Sequence, residues 1–158
     1  MKILQDSREQ LPLEFNHELI TETIIMPLPV GDYSCEFESG LQVPIIFERK
    51  SIGDLFSTLS GGYERFKREI EKAKSLDIKL ILIVEGTLTK VLKGYKHSKR
   101  GPLSLIRQMF MLWIKHDIYP VFCKDRAEMT TYIIEFYAAI GRKALEDAKE
   151  ARREQKRV

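Results

Sequence analysis

The stretch IKLILIVEG, residues 78–86, is an almost continuous run of apolar side chains with the length of a β-strand. Strands with one face in water alternate apolar and polar residues, whereas strands buried on both faces read as continuous apolar runs. The stretch therefore predicts a central strand that is covered on both faces. Helices are the elements that cover such a strand in a single domain, so the stretch favours an α/β arrangement.

The segments around this run alternate between strand and helix patterns. Further strands are predicted for residues 1–6, 22–30 and 118–123 and for the two arms of a hairpin over 32–50. Helices are predicted after an S-x-x-D cap at Ser51 and Asp54, over 63–77, over 102–117, and after a D-x-x-E cap at Asp125 and Glu128. This order predicts a three-layer α/β domain with a mixed central sheet flanked by helices.

Composition limits the class of protein. The 158 residues fit one domain, and 44% hydrophobic with 31% charged residues is typical of a globular chain. Cys35 and Cys123 lack metal-ligand spacing, so we expect reduced packing residues and no zinc or iron–sulfur site. The chain shows no apolar signal core and no run of membrane-spanning length. We therefore expect a cytoplasmic location (the nucleoid or a phage-infected cell, if prokaryotic) and no membrane partner.

A second informative stretch is IIFERKSIGD, residues 45–54, in which a buried-looking strand ends in charges. Alternation along the strand places Glu48 and Lys50 on one face and Arg49 on the other. Charges in such a place cost free energy unless they are paired or bound to a metal. The carboxylate of Glu48 suits a hard cation such as Mg²⁺. Lys50 can position a water molecule or neutralise charge on a phosphate.

A second carboxylate is expected from Asp32, which opens the predicted hairpin, and a third from Asp6 if the first strand lies beside it. Plainer interpretations stay open at this point. Asp32 is also a typical turn residue. Arg49 also suits a structural ion pair, and Asp54 also suits the capping of a helix at Ser51.

Together these residues spell GD…ERKxxxD, from Gly31-Asp32 through Glu48-Arg49-Lys50 to Asp54. The pattern resembles the signature of the XPF structure-specific endonucleases (the excision-repair cross-complementation group 4 nuclease domain), within the PD-(D/E)XK superfamily. QDSREQLP, GYERFKREI and LILIVEG resemble the family's flanking segments, so the resemblance covers roughly residues 2–140. It implies a restriction-endonuclease-like fold, with a nuclease domain over 1–141 and a charged helical extension over 142–158.

The resemblance implies a metal-dependent DNA endonuclease that acts on branched, flapped or junction DNA. Mg²⁺ or Mn²⁺ is the implied cofactor, and Lys50 is implied to orient the attacking water. The implied catalytic positions are Asp32, Glu48, Lys50, Arg49, Asp54, Asp6 and Glu9, with Asp32, Glu48 and Asp6 as metal ligands. Arg65 and Glu69 are expected near the site. Glu85, at the end of the central strand, is expected to be a solvated charge.

Contacts with DNA are expected from residues 88–101, which carry five cations and no acid. Such a stretch is typical of a phosphate-contacting loop, although a solvated loop of a basic protein remains an alternative. The nucleic-acid contacts that we predict are Lys90, Lys93, Lys96, Lys99, Arg100, Arg65 and Arg107.

The partners follow from the same resemblance. Long family members carry a helicase-like region or a tandem helix-hairpin-helix domain, and neither pattern fits this chain. The missing module predicts a partner that supplies DNA binding. Family members commonly dimerise through the nuclease domain, so the resemblance also implies a homodimer, with apolar faces from residues 109–114 and 131–140. Two alternatives remain, namely a catalytically silent DNA-binding or scaffold subunit and a Holliday-junction-resolvase-like or restriction-type nuclease. The intact set of charges argues against the silent subunit.

Overall fold

A computed structural model describes residues 1–156 of the chain as one sheet with helices on both faces. The strands are β1 (Lys2–Asp6), β2 (Glu22–Met26), β3 (Tyr33–Glu36), β4 (Ile45–Ser51), β5 (Lys79–Glu85) and β6 (Tyr119–Cys123). The helices are α1 (Ile52–Thr58), α2 (Tyr63–Ser75), α3 (Leu88–Leu92), α4 (Pro102–His116) and α5 (Arg126–Gln155).

The sheet is mixed, as predicted, with strand order β2-β1-β3-β4-β5-β6. Strand β3 runs antiparallel to both of its neighbours, β1 and β4. Strands β4, β5 and β6 are parallel, and so are β1 and β2. The carboxyl ends of β1, β4, β5 and β6 and the start of β3 therefore meet at one edge of the sheet.

Strand β5 is the buried central strand that its apolar run predicts. Leu82 packs with buried side chains of α1, α2, α3 and α4 on one face of the sheet. Ile83 packs with buried side chains of α5 on the other face. The five residues from Leu80 to Val84 are all buried, because helices cover both faces at this position. The three-layer prediction is confirmed.

The transition from β4 to α1 is as abrupt as its sequence indicates. The last residue of β4, Ser51, is also the N-cap of α1, and its Oγ accepts a hydrogen bond from the N–H of Asp54 at 3.1 Å. The chain thus passes from buried strand to helix within one residue. This fixes the direction in which the charges of residues 48–50 project.

Two boundaries differ from the sequence-based predictions. Strand β2 ends at Met26 rather than at residue 30, because Pro27 and Pro29 have no N–H to donate to a ladder. The predicted loop over 88–101 begins instead with the short helix α3, capped by Thr87, whose Oγ accepts from the N–H of Lys90 at 3.2 Å. Val91 is the buried residue of this short helix and packs into the core beneath it.

Helix α5 continues without a break through Gly141 and into the predicted extension over 142–158. A Cβ at Gly141 would lie 3.1 Å from the ring of Phe37, so the glycine permits a close approach rather than a bend. Residues 157 and 158 of that extension lie outside the described residues. Cys35 and Cys123 are free and buried, as predicted. Within residues 1–156 no helix is both long and apolar enough to cross a membrane.

Candidate active site

Strand β4 carries charged side chains on both of its faces. Ile46 packs with α1–α4 and Phe47 packs with α5, so residues alternate between the two helical layers. Glu48 and Lys50 follow Ile46 onto the first face, and Arg49 follows Phe47 onto the second. The predicted division of these three charges between the two faces of the strand is confirmed.

The backbone around Asp32 holds its carboxylate against the end of β4. Its N–H donates to the carbonyl oxygen of Phe47 at 2.8 Å, and its carbonyl oxygen accepts from the N–H of Asp6 at 2.8 Å. Its Oδ2 accepts from the N–H of Arg49 at 2.7 Å. Asp32 is thus tied to both β1 and β4, which brings the carboxylates of three separate strand ends to one place.

Gly31 is required for this approach. Its φ of +69° lies in the left-handed region, and a Cβ would stand 2.5 Å from the Cγ2 of Ile46. Its N–H donates to the Oε1 of Glu69 on α2 at 3.2 Å. The glycine before Asp32 therefore joins the turn to both β4 and α2.

Asp6 is almost fully buried, with 3% of its surface exposed. Its carboxylate accepts from the Nε of Arg8 at 2.8 Å and from the N–H of Leu28 at 2.9 Å. Burial alone raises the pKa of Asp6, but the hydrogen bonds from Arg8 and Leu28 outweigh it and the pKa is lowered. Asp6 is therefore an ionised carboxylate that already has its own counterion.

Asp32 and Glu48 are in the opposite electrostatic state. Burial, followed by repulsion from Glu48, raises the pKa of Asp32 to about 8. Burial also raises the pKa of Glu48, although Lys50 opposes the shift. Burial alone would lower the pKa of Lys50, but the attraction of Glu48 outweighs it and the pKa is raised. A cation placed between the two acids would stabilise their ionised forms.

These side chains line a cleft of about 680 Å³ between the edge of the sheet and α2. The acids in its lining are Asp6, Asp32, Glu48 and Glu69. Lys50 also lines it, with its Nζ bonded to the Oε1 of Glu48 and 5.7 Å from the centre of the Phe66 ring. The cleft therefore combines hard oxygen ligands with a buried ammonium group.

Arg49 lies on the reverse face, where only 7% of its side chain is exposed. Its Nε donates to the Oε2 of Glu9 at 3.1 Å, and its Nη1 donates to the Oε2 of Glu85 at 2.7 Å. Arg126, at the start of α5, approaches the same Glu85 oxygen at 3.6 Å. Glu85 is therefore an ion-pair partner, and the expectation of a solvated strand-end charge is wrong.

The remaining predicted residues fall into two groups. Glu9 pairs with Arg49 behind the sheet, and Asp54 is exposed at the cap of α1, so neither lines the cleft. Of the predicted DNA contacts, Arg65 lines the cleft. The cations at 90, 93, 96, 99, 100 and 107 do not line it. Arg100 donates instead to the carbonyl oxygens of Leu59 and Ser104.

Sequence reasoning missed two cations that the structure places in the cleft, Arg68 and Lys72. Together with Arg65 they follow the spacing i, i+3, i+7, which puts all three on one face of α2. That spacing was visible in the sequence. The direction in which the face points was not, because α2 is amphipathic and its charged side faces both the cleft and solvent.

The donor set fits a hard divalent cation. Within residues 1–156 no three Asp, Glu, His or Cys side chains form a complete ligand group by themselves. Mg²⁺ commonly keeps several waters and takes one or two carboxylates together with phosphate oxygens of its substrate. Asp32 and Glu48 supply two such carboxylates in the cleft. Metal binding by Asp32, Glu48 and Asp6 stays a prediction.

Comparisons with known proteins identify the family and the fold. The family model of the ERCC4 domain matches residues 5–136. The structure titled "XPF from Aeropyrum pernix" is 23% identical with a TM-score of 0.64, over 95% of this chain and 69% of that chain. The structure titled "XPF from Aeropyrum pernix, complex with DNA" is 26% identical with a TM-score of 0.63, over 90% and 66%. This chain thus spans about two thirds of those chains. A search of curated proteins finds no match.

The raised pKa of Asp32 predicts an unusual pH dependence of stability without divalent metal. Between about pH 4 and pH 8 Asp32 keeps its proton in the folded chain and loses it in the unfolded chain, so this group makes the free energy of unfolding fall as pH rises. The slope should reach about 1.4 kcal/mol per pH unit. Denaturant unfolding at several pH values measures it. Asp32→Asn should flatten the slope. The control, Asp77→Asn at an exposed position with left-handed backbone, should keep it. A flat slope in the wild type would contradict the raised pKa of Asp32.

The Arg49 ion pairs predict a second stability effect. Arg49→Ala leaves the carboxylate of Glu9, whose side chain is only 8% exposed, without its ion-pair partner. The substitution should lower the free energy of unfolding by about 3 kcal/mol. Arg49→Lys should recover only part of this, because an ammonium group lacks the fork that reaches both acids. The control is Lys79→Ala, which removes an exposed pair with Asp117 and should cost less than about 1 kcal/mol. Equal losses of unfolding free energy in Arg49→Ala and Lys79→Ala would rule out a structural role for the Arg49 ion pairs.

Proposed function

The chain belongs to the ERCC4 domain family, and we propose on that premise that it is a metal-dependent endonuclease of branched, flapped or junction DNA. The family and the XPF-type fold support DNA cleavage in repair as the general activity. The observation that carries the proposal is the wall of the cleft formed by Asp32, Glu48 and Lys50. One buried and one half-buried acid with raised pKa values, beside an ammonium group, suit the hydrolysis of a phosphodiester.

Asp32 and Glu48 would hold Mg²⁺ or Mn²⁺ through carboxylate oxygens. When bound, such an ion lowers the pKa of its water and stabilises negative charge on the phosphate. The rigid attachment of Asp32 to β1 and β4 keeps its carboxylate in place before substrate arrives. Preorganised groups of this kind need no rearrangement during the reaction, and this lowers the barrier.

Lys50 would position the attacking water and neutralise charge on the phosphate. Its raised pKa means that it is an ammonium group at neutral pH, so it donates hydrogen bonds and does not accept a proton. Its side chain is 16% exposed and lies over Phe66, so little bulk water competes with it. Arg49 and Glu9 would contribute by holding β4, and Asp54 by capping α1 beside the site.

DNA as the substrate and a second copy of the chain are proposed as partners, each from its own observation. The relative whose title names a complex with DNA supports DNA as the substrate, and we extend this to the cations of residues 88–101.

A homodimer is proposed through apolar residues that α4, β6 and α5 leave exposed. These are Phe110, Trp113, Ile114, Tyr119 and Tyr132. A nuclease that repairs chromosomal DNA would act inside the cell.

The proposed activity predicts cleavage that depends on a divalent metal ion and on the charged side chains of Asp32, Glu48 and Lys50. Purified protein is incubated with flap, fork, four-way and linear duplex DNA, with Mg²⁺ or with EDTA. We expect cleavage only with Mg²⁺ and preferentially of branched DNA. Lys50→Met should lower the rate about a hundredfold or more, because it removes one charged group from the reacting phosphate.

The matched control for this experiment is Lys79→Met, which removes the same charge from an exposed side chain far along the sheet and should cleave normally. Failure of the wild type to cut any substrate with Mg²⁺ would contradict the nuclease and favour the alternative of a catalytically silent DNA-binding or scaffold subunit. Equal cutting of all four substrates would contradict the preference for branches while leaving the nuclease activity in place.

A further inference from the structure

We propose that one strand of the substrate runs along helix α2, with its phosphates bound by Arg65, Arg68 and Lys72. We refer to these three residues as the basic face of α2. The inference rests on the proposed function in one respect, namely that the substrate is DNA. It adds a path for that DNA which the predicted contacts in residues 88–101 do not give.

The basic face of α2 lines the same cleft as Asp32 and Glu48. The opposite side of the helix, with Phe66, Ile70 and Ala73, is buried in the core, so the orientation of α2 is fixed. A phosphate held at the acids would therefore have the cations of α2 beside it. Placing bound backbone next to the scissile bond is what positions a substrate for reaction.

The three cations of this face are not used by the fold. Within the described part of the chain, none of Arg65, Arg68 and Lys72 takes part in a salt bridge or a side-chain hydrogen bond, and all three are exposed. The other cations of the cleft are engaged, Arg8 with Asp6 and Lys50 with Glu48. Binding of phosphate to the basic face therefore breaks no internal pair.

Glu69 is the one acid that α2 contributes to the cleft, and its Oε1 accepts from the N–H of Gly31. Its carboxylate is thus held at the turn before Asp32 rather than among the cations. The two ends of the cleft differ in charge as a result. The acids lie at the edge of the sheet, and the unengaged cations lie along the helix.

The length of the basic face suits a nucleic-acid backbone. Arg65 and Lys72 are seven residues apart, which is about 10 Å along a helix axis. Nucleotides of one strand of B-form DNA are about 3.4 Å apart along the duplex axis, but the backbone winds around that axis and its phosphates are roughly twice as far apart. The basic face is therefore long enough to bind two successive phosphates beside the one at the acids. By contrast, none of the cations of residues 88–101 lines the cleft.

The test compares two double variants that remove the same charge from the same helix. R68Q/K72Q removes two of the three positive charges of the basic face. K67Q/K74Q neutralises the side that faces α4, where burial and then the charges of Lys74 and Lys67 lower the pKa of His116. Glutamine is nearly as good a helix former as lysine and arginine, so both variants should keep α2 folded. Circular dichroism and the unfolding midpoint check this.

Binding to duplex and fork DNA is measured in EDTA, which prevents cleavage, over a series of KCl concentrations. For duplex DNA, R68Q/K72Q should reduce the slope of log Kobs against log salt by about 1.8, since each phosphate contact contributes about 0.9. K67Q/K74Q should keep the wild-type slope. Unchanged slopes in both variants, equal losses in both, or no DNA binding by the wild type would each overturn the inference.

A parallel assay with Mg²⁺ separates this inference from the proposed function. Wild-type protein that binds DNA without cutting it would contradict the nuclease, while the salt slopes would still decide the DNA path. Wild-type protein that cuts DNA, together with an unchanged slope in R68Q/K72Q, would overturn the path and leave the nuclease in place.

Discussion

The ion pairs of Arg49 on the reverse face of β4 are the interaction on which the geometry of the site depends. Its guanidinium joins Glu9, which follows β1, to Glu85, which ends β5. Its backbone N–H also binds the carboxylate of Asp32. Because successive side chains of a strand point to opposite faces, fixing Arg49 behind the sheet fixes Glu48 and Lys50 in front of it. One residue thus orients the chemistry without touching the cleft.

The cleft itself works against stability. Burial raises the pKa values of Asp32 and Glu48, and repulsion from Glu48 at the first and from Glu69 at the second adds to it, so their ionised forms are unfavourable in the folded chain without an added cation. Such groups persist because the surrounding structure holds them, here through Gly31, Arg49 and the strand ends. A bound divalent cation would offset the repulsion, and the same charge would act on the phosphate. Stability and function are therefore linked through one electrostatic balance.

Local patterns predicted the parts of the molecule that depend on periodicity. The apolar run of β5 predicted the layers, and alternation in residues 48–50 predicted which charges face the cleft. Contacts between distant segments could not be predicted in this way. The pairing of Glu85 with Arg49 depends on the register of β4 against β5, and the short helix α3 depends on burial of Val91. The role of Arg68 and Lys72 depends on how α2 is rotated against the sheet.

The proposed chemistry depends on the binding of a divalent cation by Asp32 and Glu48 in this cleft. The most direct measurement is the unfolding midpoint of metal-free protein titrated with Mn²⁺ or Mg²⁺, since a ligand that binds only the folded chain stabilises it in proportion to the logarithm of its concentration. We expect the midpoint of the wild type to rise, that of Asp32→Asn and Glu48→Gln to stay constant, and that of Asp77→Asn to rise as much as in the wild type. An equal rise in all four proteins, or none in the wild type, would contradict metal binding by these two acids.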